Sequence, residues 1–217
     1  MTADAPAPRP AIEALCLFCG SRTGHDPAHA LLAGLVGVLL AEAGVRLVYG
    51  GGSLGLMGVA ARACLAAGGR VVGVIPDYLA TREIAQTGLS ELVLVDSLMT
   101  RKKVMAERAD AFLALPGGVG TLDETLEMMT WAELGQHGKP TWLLGANGYW
   151  QPFQALLDHV AAAGFGDARA LGRLIELPDI ATLAALLGVD PARIPSPGHP
   201  ALGADSATTA RVPAVEE

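Results

Sequence analysis

The chain has 217 residues, of which 51% are hydrophobic and 17% are charged, and its formal net charge is −7. This composition excludes a disordered chain and permits one domain with a sizeable core. The acidic balance excludes a general attraction to nucleic acid or anionic membranes, so a bound anion must be held by local groups. Three cysteines provide no disulfide framework, and the N-terminus lacks the apolar core of a secretory signal. We therefore expect a soluble, cytoplasmic protein without nucleic-acid or membrane partners.

Short continuous apolar runs alternate with helical segments along most of the chain. The runs predict strands over residues 12–18, 45–49, 70–75, 92–95, 111–115, 141–144 and 174–177. Helices are predicted over residues 27–43, 54–67, 150–163 and 180–187, from Thr100 onward, and from the second glycine loop to about Leu134. This alternation predicts an α/β fold with one parallel sheet covered by helices on both faces. The domain is expected over residues 11–188, between disordered tails at residues 1–10 and 189–217.

The first glycine-rich loop, Gly50 to Gly55, has G-x-G-x-x-G spacing between a strand and a helix. Asp77 lies 22 positions beyond Gly55, as in a dinucleotide-binding fingerprint. The favoured interpretation is close backbone approach to a phosphate or sugar, because glycine lacks a Cβ that would block it. A tight turn without a ligand is the alternative. An oxidoreductase would also suit the spacing, but no hydride-transfer constellation is evident.

The second glycine-rich loop, Pro116 to Thr121, is the stronger signal for a ligand. It contains three glycines in four positions and opens a helix, so several N–H groups and the positive end of the helix can attract an anion. Thr121 adds a hydroxyl donor. The lysine of a nucleoside-triphosphate loop is missing from the motif, so a single phosphate is the predicted ligand. Because loops that follow parallel strands gather at one edge, both glycine loops are expected at one site.

Charged side chains accompany these loops. Asp123, Glu124 and Glu127 read either as first-turn partners of the helix dipole or as groups that contact another part of the ligand. Glu124 shares a helix face with two apolar residues, so partial desolvation is expected. Arg101 and Lys102 belong to the only basic cluster, at the predicted start of a helix, where an anion nearby would offset unfavourable positive charge. A solvated helix face is the alternative.

Two other patterns resemble metal sites but do not predict one. Cys16 and Cys19 are three residues apart on a predicted strand, so their side chains point to opposite faces, and no second cysteine pair follows. His25 and His29 lack a third ligand and are interpreted as residues at the start of a helix. No metal ligands are therefore proposed from the sequence.

The segment from Pro116 to Glu124 matches the P-G-G-x-G-T-x-x-E motif, and the chain thereby resembles the Lonely Guy proteins. These are cytokinin riboside 5′-monophosphate phosphoribohydrolases that were often mislabelled lysine decarboxylases. Further matches follow the family order at Cys19-Gly20-Ser21, Tyr49 to Gly52 with Gly55 to Gly58, Met99 with Arg101-Lys102, Thr130-Trp131 and Lys139-Pro140. The resemblance covers roughly residues 14–166. Asp123 and Thr125 depart from it, because the family commonly has Glu and a larger apolar residue there.

The resemblance implies a Rossmann-like, doubly wound homodimer that uses neither a metal nor a cofactor. The implied reaction releases the base and ribose 5-phosphate from a cytokinin riboside 5′-monophosphate or another AMP-type nucleotide. Arg101 and Glu124 are the implied catalytic pair. The implied substrate-binding residues are Ser21, Gly51, Gly52, Glu83, Met99, Arg101, Lys102, Gly117, Gly118, Val119, Gly120, Thr121, Leu122, Asp123, Glu124 and Thr130.

Glu124 is expected to stabilise positive charge on the ribose and to orient or deprotonate the attacking water. Burial would raise its pKa and Arg101 would lower it, and the sequence does not decide between them. A non-catalytic nucleotide or cofactor carrier on the same scaffold is the alternative function. A decarboxylase is disfavoured, because no lysine follows a predicted strand to hold pyridoxal phosphate.

Overall fold

Seven parallel strands form one sheet in the computed structural model, which describes residues 12–80, 85–166, 174–194 and 196–202. The strands are β1 (Ala14–Phe18), β2 (Arg46–Tyr49), β3 (Val71–Pro76), β4 (Glu91–Val95), β5 (Ala111–Ala114), β6 (Thr141–Leu144) and β7 (Leu174–Leu177). Their order is β4-β3-β2-β1-β5-β6-β7, so the chain leaves the centre in one direction, returns beside β1 and leaves in the other. This order confirms the predicted Rossmann-like, doubly wound parallel sheet.

Helices cover both faces of the sheet, as the alternating pattern predicts. They are α1 (Pro27–Glu42), α2 (Gly55–Ala66), α3 (Asp77–Ala80), α4 (Leu98–Glu107), α5 (Val119–Glu133), α6 (Gln151–Ala162) and α7 (Ile180–Leu186). Leu15 and Leu17 of β1 belong to the core layer under α1, α2 and α7. Cys16 and Phe18 belong to the opposite layer, under α4, α5 and α6. The prediction that side chains three apart on this strand separate to opposite faces is confirmed by Cys16 and Cys19, which lie in different layers.

The start of α1 follows from two residues. Asp26 is the N-cap, and its carboxylate accepts a hydrogen bond from the Ala28 N–H at 2.9 Å. Pro27 occupies the first helical position, where its missing N–H costs no hydrogen bond. Gly44, in the left-handed region at φ 67°, follows the end of the helix. All three positions agree with the prediction.

Two helices begin earlier than predicted, and this changes the position of the charged residues. Helix α4 begins at Leu98, because the Ser97 side chain caps it by accepting from the Thr100 N–H. Arg101 is therefore the fourth helical residue. Helix α5 begins at Val119, within the glycine-rich loop, so its first turn contains no acidic residue. Glu124 lies in the second turn, and the interpretation of the acids as first-turn dipole partners is wrong.

The predicted C-terminal tail begins at residue 189, and the structure describes part of it. Val189 is buried in the core, and two short 3-10 helices follow at Pro191–Arg193 and Pro200–Leu202. A Cβ added at Gly34 of α1 would lie 2.8 Å from the Leu202 side chain, so this segment packs against α1. The domain boundaries stay a prediction. None of the helices in the described ranges is long and apolar enough to cross a membrane.

Candidate functional site

A crevice opens where the sheet order reverses. Strands β1 and β5 are neighbours, but α1 packs on one face of the sheet and α5 on the other, so the loops after the two strands diverge. A cavity of about 750 Å³ lies between these loops. It is lined by Cys19 to Asp26, His29, Leu56, Met57, Leu98, Arg101, Lys102, Pro116 to Thr121, Asp123, Glu124 and Tyr149.

The floor of the cavity is made by two loops in direct backbone contact. The Gly20 N–H donates to the Pro116 carbonyl at 3.0 Å. A Cβ at Gly20 would lie 3.3 Å from the Gly117 Cα, and a Cβ at Gly117 would lie 2.8 Å from the Gly20 nitrogen. Glycine is therefore needed at both positions for the loops to approach.

The second glycine loop presents the N-terminus of α5 to the cavity. A Cβ at Gly118 or Gly120 would meet no atom within 4 Å, so both positions border open space. The Leu122 N–H reaches the carbonyl of the N-cap, Gly118, at 3.1 Å. By the geometry of a helix N-terminus, the preceding N–H groups have no intrahelical acceptor and can bind an anion. Thr121 is buried and packs beneath Gly117, where a Cβ would lie 2.0 Å from the Thr121 hydroxyl oxygen.

The first glycine loop packs against protein and does not present a helix N-terminus to a ligand. The Leu56 N–H of α2 donates to the Gly20 carbonyl at 2.9 Å, so the end of this helix is already occupied. Gly55 adopts φ 59°, and a Cβ there would lie 2.2 Å from the Ser21 carbonyl carbon. The glycines of this loop thus allow close packing of backbone, and its approach to a phosphate or sugar stays a prediction.

Gly50 instead provides the space for a buried arginine. A Cβ at Gly50 would lie 1.8 Å from Nη2 of Arg101. Arg101 is only 8% exposed, and its Nε has no hydrogen-bond partner among the described residues. Its guanidinium lies 3.7 Å from the Glu124 carboxylate. The end of β2, helix α4 and helix α5 therefore converge on one ion pair, which joins the two predicted catalytic residues.

We expect Gly50→Ala to displace the Arg101 guanidinium without unfolding the protein. Only the end of a flexible side chain must move, so the melting temperature should change little. The rate of the base-releasing reaction that the resemblance implies should fall by roughly 10²-fold, the usual scale for removing a positioned hydrogen-bond donor. Gly138→Ala is the matched control, because a Cβ at Gly138 meets no atom within 4 Å. A wild-type rate in Gly50→Ala would show that the position of the Arg101 guanidinium against Gly50 does not matter for the reaction.

The environment of Glu124 raises its pKa from 4.5 to about 7. Burial is the largest cause, and the Arg101 guanidinium opposes it. Asp123 and Glu127 raise the pKa further, while Lys102 lowers it. Desolvation thus outweighs the ion pair, which answers the question that the sequence left open. A carboxyl group with a pKa near neutrality can exchange a proton at physiological pH.

Glu124 should therefore reduce the stability of the protein at alkaline pH. Between pH 4.5 and about 7 the native state keeps a proton that the unfolded state has released, so the free energy of unfolding falls as pH rises. The shift corresponds to a loss on the order of 3 kcal/mol above pH 7. We expect Glu124→Gln to raise the melting temperature by several degrees at pH 8 and not at pH 4.5, as measured by thermal unfolding. An equal change at both pH values would contradict the raised pKa.

The loop between β6 and α6 contacts the second glycine loop, and its Tyr149 lines the cavity. The Tyr149 hydroxyl accepts from the Gly117 N–H at 3.3 Å and donates to the Gly117 carbonyl. The His29 ring lies edge-on to Tyr149, with centroids 5.4 Å apart. Asn147, at φ 54°, donates to the Asp26 carboxylate at 2.6 Å. Tyr149 was not predicted as a site residue from the sequence, and His29 was predicted only as a residue at the start of a helix. The available signal was that β6 ends at the same edge as β1 and β5.

We expect Tyr149→Phe to loosen the loop that begins α5. The two hydrogen bonds to Gly117 would be lost, at about 1 kcal/mol each. The affinity for ribose 5-phosphate, measured by calorimetry, should fall roughly tenfold, because the loop N–H groups would be less well oriented. Tyr78→Phe, at a half-exposed tyrosine, is the control. Unchanged affinity in Tyr149→Phe would show that the loop holds its shape without the hydroxyl.

The structure gathers most, but not all, of the predicted site residues. Ser21, Arg101, Lys102, Gly117 to Thr121, Asp123 and Glu124 line the cavity. Gly51, Gly52, Met99, Leu122 and Thr130 do not line it. Met99 is 76% exposed, and the hydroxyl of Thr130, also exposed, donates to the Leu126 carbonyl at 2.9 Å. Glu83 lies outside the described residues. Within the described ranges, no three His, Cys, Asp or Glu side chains form a group suited to a metal ion.

The chain is similar to proteins with a known activity. A family model described as possible lysine decarboxylase matches residues 57–187. The cytokinin riboside 5′-monophosphate phosphoribohydrolase of Rhodococcoides fascians is 44% identical over 173 residues, which cover 79% of this chain and 87% of that protein. The probable enzyme of the same name, LOGL1, from Oryza sativa subsp. japonica is 44% identical over 79% of this chain and 77% of its own length.

Solved structures with the same fold include two molybdenum cofactor proteins. The molybdenum cofactor binding protein of Rippkaea orientalis has a TM-score of 0.60 at 18% identity, over 83% of this chain and 98% of that one. The molybdenum cofactor carrier protein of Chlamydomonas reinhardtii has a TM-score of 0.61 at 20% identity, over 81% of this chain and 95% of that one. At these identities the likeness shows the fold alone.

Proposed function

Because the chain belongs to the Lonely Guy family of cytokinin riboside 5′-monophosphate phosphoribohydrolases, we propose that it hydrolyses the N-glycosidic bond of such nucleotides. The products are the free base and ribose 5-phosphate. AMP and other adenine-type nucleoside 5′-monophosphates are included in the proposal. The observation that carries it is a mostly buried carboxyl group, Glu124, paired with Arg101 and one turn along α5 from an open, glycine-rich anion site.

The 5′-phosphate is proposed to bind at the N-terminus of α5. Gly118 and Gly120 leave open space there, and the N–H groups of the first turn face it. The helix dipole adds roughly half a positive charge, which favours a phosphate in a protein of net charge −7. Binding at this remote group positions the sugar for reaction.

Glu124 is proposed to act on the reacting carbon and the attacking water. As the C–N bond breaks, its electron pair leaves with the base and positive charge develops on the ribose. The ionised carboxylate stabilises that charge and accepts a proton from water as the water oxygen bonds to C1′. The departing base takes up one proton, from the protonated Glu124 directly or through solvent, so one water is consumed and Glu124 is ionised again. With a pKa of about 7, Glu124 is ionised in a large fraction of molecules at neutral pH.

Arg101 is proposed to orient the substrate and Glu124, without proton transfer. Arginine stays protonated in proteins, so it is a poor general acid. Its buried Nε has no partner among the described residues, and its guanidinium borders the cavity, so a phosphate or sugar oxygen could accept from it.

Two other functions make different demands on the site. A decarboxylase using pyridoxal phosphate needs a lysine amine for a Schiff base. Lys102 is held by two carboxylates, and Lys139 donates to the Ala106 carbonyl at 2.7 Å. Lys103 lies on the exposed side of α4, 3.9 Å from Glu107. A nucleotide or cofactor carrier would need only the anion site and would leave the Arg101–Glu124 pair without a use.

The homodimer implied by the resemblance is also a proposal. The edge strand β4 exposes Leu92 and Leu94, and the first turn of α4 exposes Leu98 and Met99. Burying these side chains against a second copy would remove apolar surface from water. Light scattering after size exclusion should give twice the chain mass, and Leu94→Glu should shift it to the monomer. A wild-type monomer would contradict the proposal.

The proposed activity is tested by chromatographic measurement of free base. The purified protein would be incubated separately with AMP and with isopentenyladenosine 5′-monophosphate. Release of base together with ribose 5-phosphate supports the hydrolase, and the ratio of the two rates gives the base preference. Binding of either nucleotide, measured by calorimetry, without release would instead support the carrier.

A further inference from the structure

Lys102 forms a bridge between two carboxylates that flank Glu124. Its Nζ lies 3.0 Å from the Asp123 carboxylate and 2.7 Å from the Glu127 carboxylate. The side chains of Lys102 and Glu127 are 17% and 24% exposed, so water screens this pair only partly, whereas the Asp123 side chain is 62% exposed and its pair is screened more strongly. The neighbouring residue, Arg101, faces Glu124 at 3.7 Å. Two cations of α4 are thus matched to three carboxylates of α5.

In this arrangement the two cations have different carboxylate partners. Lys102 is close to the two flanking carboxylates, whereas the nearest carboxylate to the Arg101 guanidinium is that of Glu124. Without the ammonium, Arg101 would be the only cation of α4 beside three acidic side chains. Asp123 and Glu127 would then compete with Glu124 and with the substrate for its guanidinium, because arginine binds carboxylates well.

We propose that Lys102 is a positioning residue, which holds Asp123 and Glu127 so that Arg101 stays available to Glu124 and the substrate. The proposal rests on the proposed function, and it differs from the substrate-binding role that the resemblance implies for Lys102. The closest partners of the ammonium are the two carboxylates of α5. It therefore acts on the reaction through its neighbours.

The titratable groups that face Glu124 come from three elements. Helix α4 provides Arg101 and Lys102, and α5 itself provides Asp123 and Glu127. The third source is β1 and the residue after it, whose buried thiols Cys16 and Cys19 have pKa values raised well above the ordinary value and stay neutral. Burial lowers the pKa of Lys102, but hydrogen bonds to Glu127 and Asp123 outweigh it and raise the pKa, so the ammonium stays charged. Removing this charge would leave two uncompensated anions beside Glu124.

Lys102→Met tests the inference through the pH profile of kcat/KM. We expect the acid limb to move to higher pH by about one unit, because lost compensation favours the protonated carboxyl group. Relative to wild type, kcat/KM should fall about tenfold further at a pH well below the midpoint than it does at pH 9. The substrate phosphate titrates identically in both proteins, so its contribution cancels.

Two further variants separate this role from phosphate binding. Lys102→Arg, which keeps the charge, should retain the wild-type profile, and Lys102→Met combined with Glu127→Gln should move the acid limb back toward it. If Lys102 instead binds phosphate, Lys102→Met will lower the affinity for ribose 5-phosphate at least tenfold at every pH, and Glu127→Gln will not rescue it. That result would overturn the proposal.

A measurement that needs no turnover distinguishes failure of the inference from failure of the proposed function. Thermal unfolding is measured as a function of pH for Lys102→Met and for the double variant Lys102→Met with Glu124→Gln. The difference between their melting temperatures changes with pH as Glu124 titrates. The midpoint of that change should lie about one pH unit above the midpoint found when wild type is compared with Glu124→Gln in the same way. Equal midpoints would overturn the inference even if the protein releases no base.

Discussion

We expect Glu124→Gln to lower the rate of base release by about 10³-fold or more, while nucleotide affinity stays within a few-fold of wild type. Glutamine has nearly the same shape as glutamate but carries no charge and cannot accept a proton from water. The anion site at the N-terminus of α5 is unaffected, because Glu124 lies in the second turn. Base release is measured by chromatography, and affinity by calorimetry with ribose 5-phosphate and with the nucleotide.

Glu133→Gln is the matched control for this substitution. Glu133 lies on the same helix but is exposed, at the end away from the cavity. It should leave both base release and nucleotide affinity unchanged. If Glu124→Gln instead abolished nucleotide binding along with turnover, Glu124 would be a binding residue and the proposed chemistry would lose its main group.

A nucleoside without its 5′-phosphate should be a poor substrate, with kcat/KM lower by about 10³-fold or more. Two or three charge-assisted hydrogen bonds to the phosphate would contribute about 4–6 kcal/mol, which corresponds to roughly 10³–10⁴-fold in rate. The comparison uses AMP against adenosine, and isopentenyladenosine with and without its 5′-phosphate. Comparable turnover of each pair would show that the glycine loop does not hold the phosphate.

Gly118→Ala checks that the loss arises at the α5 N-terminus. The added methyl group meets no protein atom within 4 Å, so it enters the space assigned to the phosphate without disturbing the fold. Turnover of the nucleotide should fall at least tenfold, whereas the slow turnover of the nucleoside should not change. An equal fall for both substrates would mean that the methyl group distorts the site as a whole.

Features of the fold and of the site could be predicted from the sequence where they depend on neighbouring residues alone. Asp26 and Pro27 begin α1 as predicted, because capping depends on neighbouring residues alone. The P-G-G-x-G-T-x-x-E motif predicted an open helix N-terminus followed by an acid, and the structure has Gly118 and Gly120 beside open space with Glu124 one turn later. The spacing of these residues along one element is enough for such predictions.

The spacing of the first glycine loop does not show what its glycines contact. A glycine that approaches a ligand and a glycine that approaches another part of the chain have the same sequence signature, the lack of a Cβ. Gly50 lies against Arg101, which is 51 residues away along the chain, and Gly55 lies against the loop after β1. Only the packing of distant segments distinguishes the two cases.

By itself, the sequence determined the parallel α/β sheet, the start of α1 and the glycine-rich start of α5, because each depends on periodicity or on a motif within one segment. The candidate pair Arg101 and Glu124 came from the resemblance. The tertiary structure decided how these parts act together. It raised the pKa of Glu124, placed Arg101 against Gly50, paired Lys102 with Asp123 and Glu127, and brought the Tyr149 hydroxyl to Gly117. Desolvation and charge pairing act through space, so they become known only when segments far apart in the chain have packed together.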